Sequence, residues 1–174
     1  TTNLVLNGSF EDGFDHWEKR GDTELLIIDS SFHLYGNFAY VRGRVAEAHS
    51  TYLSQPISVV NGHLYYMRGR GHTNGYAATA QTIAFDFYLS GGFRISVAPG
   101  EIKLLSQILK FDGTTGIHDF NVNFDQSTEW TYLDGMLIVD LTASFGVGNE
   151  PSLEWCDVNL DYFDGNKLIR YFGG

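Results

Sequence analysis

Several stretches of alternating sequence place tyrosines and arginines on one parity. Tyr40, Arg42 and Arg44 share a side in the segment His33 to Glu47, and Tyr66, Arg68 and Arg70 share one in Leu64 to His72. Asp86 and Tyr88 do the same after Ile83, as do Asn121 and Asn123 after His118. Successive residues of a strand point to opposite faces. If these strands are neighbours, Tyr40, Arg42, Tyr66, Arg68, Arg70, Asp86, Tyr88 and Asn121 gather on one sheet face. Sugar rings offer apolar C–H faces and a rim of hydroxyls. A site for them wants aromatic planes beside planar polar groups of fixed geometry, and this face supplies both. The other reading is a half-exposed sheet covered by Tyr and Arg that pair with Asp. Against it stands the density of Arg in an acidic protein, where a plain solvated face would carry Lys and Glu.

Catalytic patterns are missing. There is no Gly-x-Ser-x-Gly elbow, no His-Glu-x-x-His pair and no Gly-x-x-x-x-Gly-Lys loop. Gly69-Arg70-Gly71 followed by Gly75 misses the dinucleotide spacing and lies in a strand context. The six histidines are scattered, with no i,i+2 or i,i+4 pair. Asp86 and Asp119 are the carboxylates a glycosidase would need across a cleft, as almost any two strand carboxylates could be. The expectation is a protein that is not an enzyme. Cys156, beside Trp155, is expected to be buried rather than nucleophilic.

These residues must be positioned by strands. Residues 3–6 are expected to form a strand, followed by a long loop over 7–22 in which Trp17 plugs the core. Leu25-Leu26-Ile27-Ile28 is a continuous apolar run of a buried strand. Further strands are expected over 52–59, 64–72, 83–89, 93–97, 104–111 and 118–124. Asn61-Gly62 is a hairpin signal, and Gly69 and Gly71 thin the inner face as a close sheet approach requires. Tyr132 to Leu141 is apolar apart from Asp134 and Asp140, the pattern of a central strand covered on both sides. After it, Asn149 or Ser152 caps a short helix with an apolar stripe of Leu153, Trp155, Cys156 and Leu160. Lys167 to Phe172 closes the chain as a short strand.

At 174 residues, with 20 Gly and 15% aromatics, the chain fits one all-β domain. A chain of this length buries about 68–70% of its unfolded surface. The expected architecture is a two-sheet antiparallel β-sandwich (a jelly roll) over 1–142, with a short C-terminal helix and extension over 143–174. A formal net charge of −10 argues against nucleic acid and against an anionic membrane surface. It leaves a neutral ligand, or one held through a cation. No apolar run reaches the ~18 residues of a membrane span. One cysteine precludes an internal disulfide framework. The sequence begins without Met or a signal peptide, the expectation for a processed form or a piece of a longer chain.

Two strings carry a resemblance. The opening Asn3-Leu4-Val5-Leu6-Asn7-Gly8-Ser9-Phe10-Glu11-Asp12-Gly13, closed by Trp17, resembles the first strand of the jelly-roll, galactose-binding-like carbohydrate-binding modules attached to xylanases and cellulases. Asp140-Leu141-Thr142-Ala143-Ser144-Phe145-Gly146-Val147-Gly148-Asn149-Glu150-Pro151 continues to Glu154-Trp155-Cys156-Asp157 and Tyr162-Phe163-Asp164-Gly165. This string is similar to the C-terminal signature of modules in tail proteins of phages and prophages of Gram-positive bacteria, nearest a carbohydrate-binding insertion in a siphophage distal tail protein. The resemblance implies a module of a larger tail protein, on the virion and outside the cell. It would attach without catalysis to host cell-wall polysaccharide or oligosaccharide. A structural tail or adhesin domain using the same face for protein contact is the alternative. Related sandwiches also tie their first and last strands with a structural Ca²⁺, for which Glu11, Asp134 and Asp140 are the candidate oxygen ligands.

Overall fold

The computed structural model describes residues 1–29, 40–43, 51–73, 79–124, 129–164 and 167–168. In chain order the strands are β1 (Glu18–Gly21), β2 (Leu26–Asp29), β3 (Tyr40–Gly43), β4 (Thr51–Val59), β5 (Leu64–Thr73), β6 (Gln81–Phe87) and β7 (Gly92–Val97). They continue as β8 (Ile102–Lys110), β9 (Gly116–Asn123), β10 (Thr131–Asp140), β11 (Phe163–Asp164) and β12 (Lys167–Leu168), with helices α1 (Leu141–Phe145) and α2 (Leu153–Asn159) after β10. The first sheet runs β1-β4-β9-β6-β7 and the second β2-β3-β10-β5-β8, all antiparallel. β11 and β12 form a separate hairpin. The protein is a two-layer antiparallel β-sandwich.

Alternation decides what lies between the layers. Leu53, Ile57 and Val59 of β4, Phe120 and Val122 of β9, and Ile83, Phe85 and Phe87 of β6 face Tyr65 and Met67 of β5 and Leu133 and Ile138 of β10. The aromatic members interlock edge to face, Phe87 with Phe111 at 5.5 Å and Phe85 with Phe93 at 5.2 Å between ring centres. Trp17 plugs this core, stacked on Phe10 at 5.5 Å, with its indole N–H donating to the Asn7 carbonyl at 3.0 Å. Gly69 and Gly71 are required by packing. A Cβ at Gly69 would stand 2.7 Å from Met136 Sδ, and one at Gly71 would stand 2.8 Å from Leu105 Cδ1.

β10 is the central strand of the second sheet, and all of its residues except Asp140 are buried. Its outer side, with Tyr66 of β5, packs under Leu141, Cys156 and Tyr162, so the chain after residue 140 is the cover that makes β10 a doubly buried strand. Asp140 caps α1 by accepting from Ala143 N at 2.8 Å, and Ser152 caps α2 by accepting from Trp155 N at 3.2 Å. Glu150 fixes the turn between them, taking the Thr142 hydroxyl at 2.8 Å and Gly148 N–H at 2.7 Å.

Three expectations are corrected. Residues 3–6 are not a strand. Beyond the short stretch where β3 pairs, they fill the edge of β10 with one backbone bond, Leu4 N to Ile138 O at 2.8 Å, and the Asn3 carboxamide supplies the rest. The ladder is interrupted there because β10 shifts register between Asp134 and Leu137, at Gly135 with φ 65°. Second, Asn61-Gly62 turns the chain but makes no hairpin. β4 and β5 belong to different sheets, since both direct their apolar parity into the same core from opposite sides. Third, the strand expected over 83–89 ends at Phe87 and does not reach Leu89. That leucine is 87% exposed, beyond the end of β6. Of the segment from His33 to Glu47 only β3 is described, and of Lys167 to Phe172 only β12; the rest lies outside the described residues.

Two outcomes check this packing. The Gly8 carbonyl accepts from Met136 N–H at 2.9 Å, and a Cβ at Gly8 would sit 2.3 Å from Met136 O. Backbone cannot yield as a side-chain tip does, so Gly8→Ala should lower the unfolding free energy by about 1–3 kcal/mol in urea titrations. The second is alkaline. Burial pushes the Cys156 thiol up to about 11 and the Tyr65 phenol up to about 12. Each group ionises first in the unfolded chain, near its ordinary value of about 8.5 and about 10 respectively. Their stabilisation is complete below those values and is lost as pH rises through the folded ones. The thermal midpoint should therefore fall stepwise above pH 9, and Cys156→Ala should remove the first step.

Candidate functional site

The outer face of the first sheet is a grid that the strand register fixes. One row across all five strands reads Arg20, Tyr52, Asn123, Ala84, Arg94, and the next reads Glu18, Ser54, Asn121, Asp86, Gly92. A third holds Pro56 and Asp119, beside Tyr88, whose N–H donates to the Asp119 carbonyl at 3.1 Å. At ~4.8 Å per strand the rows are ~19 Å long. Ser54, Ala84 and Gly92 keep the floor low. A Cβ at Gly92 would stand 2.3 Å from Phe85 O, so nothing larger fits there.

Two depressions lie along the grid. One, of about 280 Å³, is lined by Arg20, Tyr52, Ser54, Tyr88, Asp119 and Asn121. The other, of about 500 Å³, runs from Ala84 and Asp86 past Leu89 and Gly92 to Arg94. They adjoin at the Asn121 amide, which donates to Asp86 Oδ1 at 2.9 Å, while Asn123 donates to Oδ2. Asp86 thus orients both carboxamides by accepting on both oxygens. The turn after β6 forms a lip. Ser90 N–H closes on the Phe87 carbonyl at 2.9 Å and Leu89 adopts φ 60°, a conformation sterically costly for a bulky residue. Tyr88 on that lip is 63% exposed.

The electrostatics are local. Arg20 meets Glu18 at 2.7 Å and Asp119 at 3.9 Å, and the Glu18 hydrogen bond pushes its pKa further up, making it a fixed cation. Its Nε–H is buried with no partner among the described residues. The face therefore presents donors from Arg20, acceptors from Asp119 and amide oxygens, and the aromatic rings of Tyr52 and Tyr88.

The face expected from sequence is split between the two sides of the sandwich. Asp86, Tyr88 and Asn121 do come together on the outer face of the first sheet. Tyr66 and Arg68 lie on the second sheet, fully buried beneath the C-terminal segment. Tyr66 donates its hydroxyl to Asp157 at 2.8 Å, and burial pushes that phenol far up. Arg68 donates to the Leu160 carbonyl and to Asp161 at 3.0 Å. Arg70 sits on the same strand opposite Asp134 and also belongs to the second sheet. Tyr40 and Arg42 are in β3 of that sheet, with side chains outside the described residues. Period-two alternation places a residue on a face but does not say that an appendage covers it. Arg20, Tyr52 and Ser54 were missed, and Asp119 was named only as a glycosidase carboxylate; Arg20 hides in a four-residue strand within the expected loop. Tyr52 and Ser54 do share the parity opposite Leu53, the one signal that could have found them.

The expected calcium set does not fit. Asp134 and Asp140 are six residues apart along β10, ~20 Å at the rise of a strand, too far to share one ion. Asp140 is engaged by the α1 cap and by His63 Nδ1 at 2.8 Å, and Asp134 Oδ1 accepts from Gly135 N at 2.7 Å. Among the described residues no three His, Cys, Asp or Glu are placed to hold a metal ion.

No family model and no curated protein matches the chain. Solved structures do. The chain is similar to a family 61 carbohydrate-binding module in complex with β-1,4-galactotriose, at 20% identity and a TM-score of 0.60 over 80% of this chain and 99% of that one. It is similar to a family 16 module at 14% and 0.59, over 79% of this chain and 99% of the other. The C-terminal family 22 module of a Clostridium thermocellum xylanase follows at 13% and 0.56, over 80% and 92%. The fold is that of carbohydrate-binding modules. At these identities the likeness concerns the fold alone.

The split of the expected face has a measurable consequence. Arg68→Ala leaves an unfilled buried channel and an unpaired Leu160 carbonyl, and should cost about 2–5 kcal/mol in chemical unfolding. Ligand binding measured well below the unfolding transition should be unaffected, because the residue lies on the other side of the core.

Proposed function

We propose that this protein is a non-catalytic carbohydrate-binding module and that the outer face of its first sheet is the saccharide site. The observation that carries this is the register grid. It sets Tyr52, Asn123, Asn121, Asp86 and Asp119 on adjacent strands above a floor of small residues, beside the unpaired Arg20 Nε–H. Amide, carboxylate and guanidinium groups of fixed geometry suit ring hydroxyls, and the two tyrosines suit C–H faces. The ~19 Å row accommodates a short oligosaccharide rather than a single sugar. A solved structure of like fold, a family 61 carbohydrate-binding module that holds β-1,4-galactotriose, supports the same class.

Binding without cleavage follows from the placement of the carboxylates. Glycoside hydrolysis needs two that flank the scissile bond on opposite sides. Asp86 and Asp119 both rise from the floor of one sheet, and both oxygens of Asp86 are taken by amides. For context we propose a phage tail protein of a Gram-positive host, with cell-wall polysaccharide as ligand and the virion tail as location. The support for this is the C-terminal string from Asp140 to Gly165.

The test is calorimetric titration with cell-wall polysaccharide from a susceptible lactic acid bacterium. Tyr52→Ala and Asp119→Ala should each weaken binding at least tenfold, the loss expected for a hydrogen bond to a charged group or a stacked ring. Their thermal midpoints should stay within a few degrees of the parent. Normal binding by both variants would remove the site from this face. A fluorescent fusion that decorates cells but is not displaced by free polysaccharide would point to a protein receptor instead.

A further inference from the structure

We propose that Arg94 reads an anionic substituent, a carboxylate or a phosphodiester, on the sugar chain lying along the first sheet; the inference rests on the carbohydrate reading above. Arg94 ends the row that begins at Arg20, and the two guanidiniums differ in their partners. Arg20 is neutralised by Glu18 and Asp119. Arg68, under the C-terminal segment, is neutralised by Asp161. Arg94 has neither a hydrogen bond nor an ion pair among the described residues, and it is exposed at the end of the larger depression. The nearest carboxylate on the grid, Asp86, accepts from Asn121 and Asn123 instead.

Arg94 lies on the edge strand β7, with Ala84 as its row neighbour and Gly92 two residues before it, so its head group stands beside small residues at the end of the depression. A guanidinium offers a planar fork of donors that matches a carboxylate or phosphate bidentately, a fit that neutral hydroxyls use poorly. Leu89 lines the same depression and lowers the local polarity, which strengthens the attraction once a ligand displaces water. The chain's net charge of −10 rules out attraction by the overall field. That repulsion is screened beyond ~8 Å at physiological ionic strength, so any preference for an anion must arise from contact at this one side chain. A single substitution therefore tests it.

The experiment compares the full chain with its Arg94→Gln variant on two matched pairs of probes. One pair is polygalacturonate and its fully methyl-esterified, neutral form. The other is the host-wall polysaccharide before and after chemical removal of its phosphodiesters. Arg94→Gln should weaken binding of the anionic member of one pair about tenfold more than binding of its neutral partner, and the pair that responds identifies the anion. Equal losses on charged and neutral members, or no loss on either, overturn the proposal while leaving the sugar groove intact. If the parent chain binds none of the four probes, the groove reading fails and this inference falls with it.

Discussion

Everything in this molecule depends on β10 being apolar on both sides. A strand whose inner residues face a sandwich core and whose outer residues are Leu137 and Val139 cannot leave either side to water. The chain meets that demand with its own continuation. Two short helices and the segment to Tyr162 lie back over the second sheet and bury Tyr66, Leu137, Val139 and Cys156 together. Because helices of five and seven residues are not stable by themselves, they hold only through this burial and through the caps at Asp140 and Ser152. The apolar cover and the polar clasp are one device.

Covering one sheet leaves the other for function. The outer parity of β4, β9 and β6 carries Tyr52, Ser54, Asp119, Asn121, Asn123, Ala84 and Asp86, and its one large aliphatic side chain, Ile117 near the start of β9, stands exposed. The inner parity of the same strands carries the aromatic core, so the polar side chains stand on a floor that packing has made rigid. A face built this way is preorganised. Asp86 holds two carboxamides, Glu18 and Asp119 hold Arg20, and little side-chain freedom remains to be lost on binding.

Much of the scaffold was legible in the sequence because it rests on local signals. Alternation found the two faces of β5, β6 and β9, the unbroken apolar run found β10, and Ser152, one of two cap candidates, marked the start of α2. Strand neighbours were not legible. Asn61-Gly62 carries hairpin chemistry, yet the chain crosses between sheets there, since pairing is decided by which core each apolar face joins. That error has the same origin as the misplaced site. Tyr66 and Arg68 do sit on the parity expected of them, and Asp86, Tyr88 and Asn121 on theirs, but the two groups are backed against opposite sides of one core. The Arg density that marked a ligand face was in part a structural requirement, for Arg68 reaches Leu160 and Asp161 in the cover.

The two fates of arginine show how partner geometry separates structure from function in an acidic chain. A guanidinium that is buried must find carbonyl and carboxylate acceptors, because an unpaired buried charge costs several kcal/mol. Arg68 has found them, and through them it holds the cover in place. A guanidinium at the surface gains little from pairing, about 0–1 kcal/mol, so stability alone gives no reason to set one at a chosen place on a sheet. Arg20 and Arg94 nevertheless occupy the two ends of a single register row with only Tyr52, Asn123 and Ala84 between them. Composition cannot separate these cases, since both are arginine on an outward parity; burial and partners do.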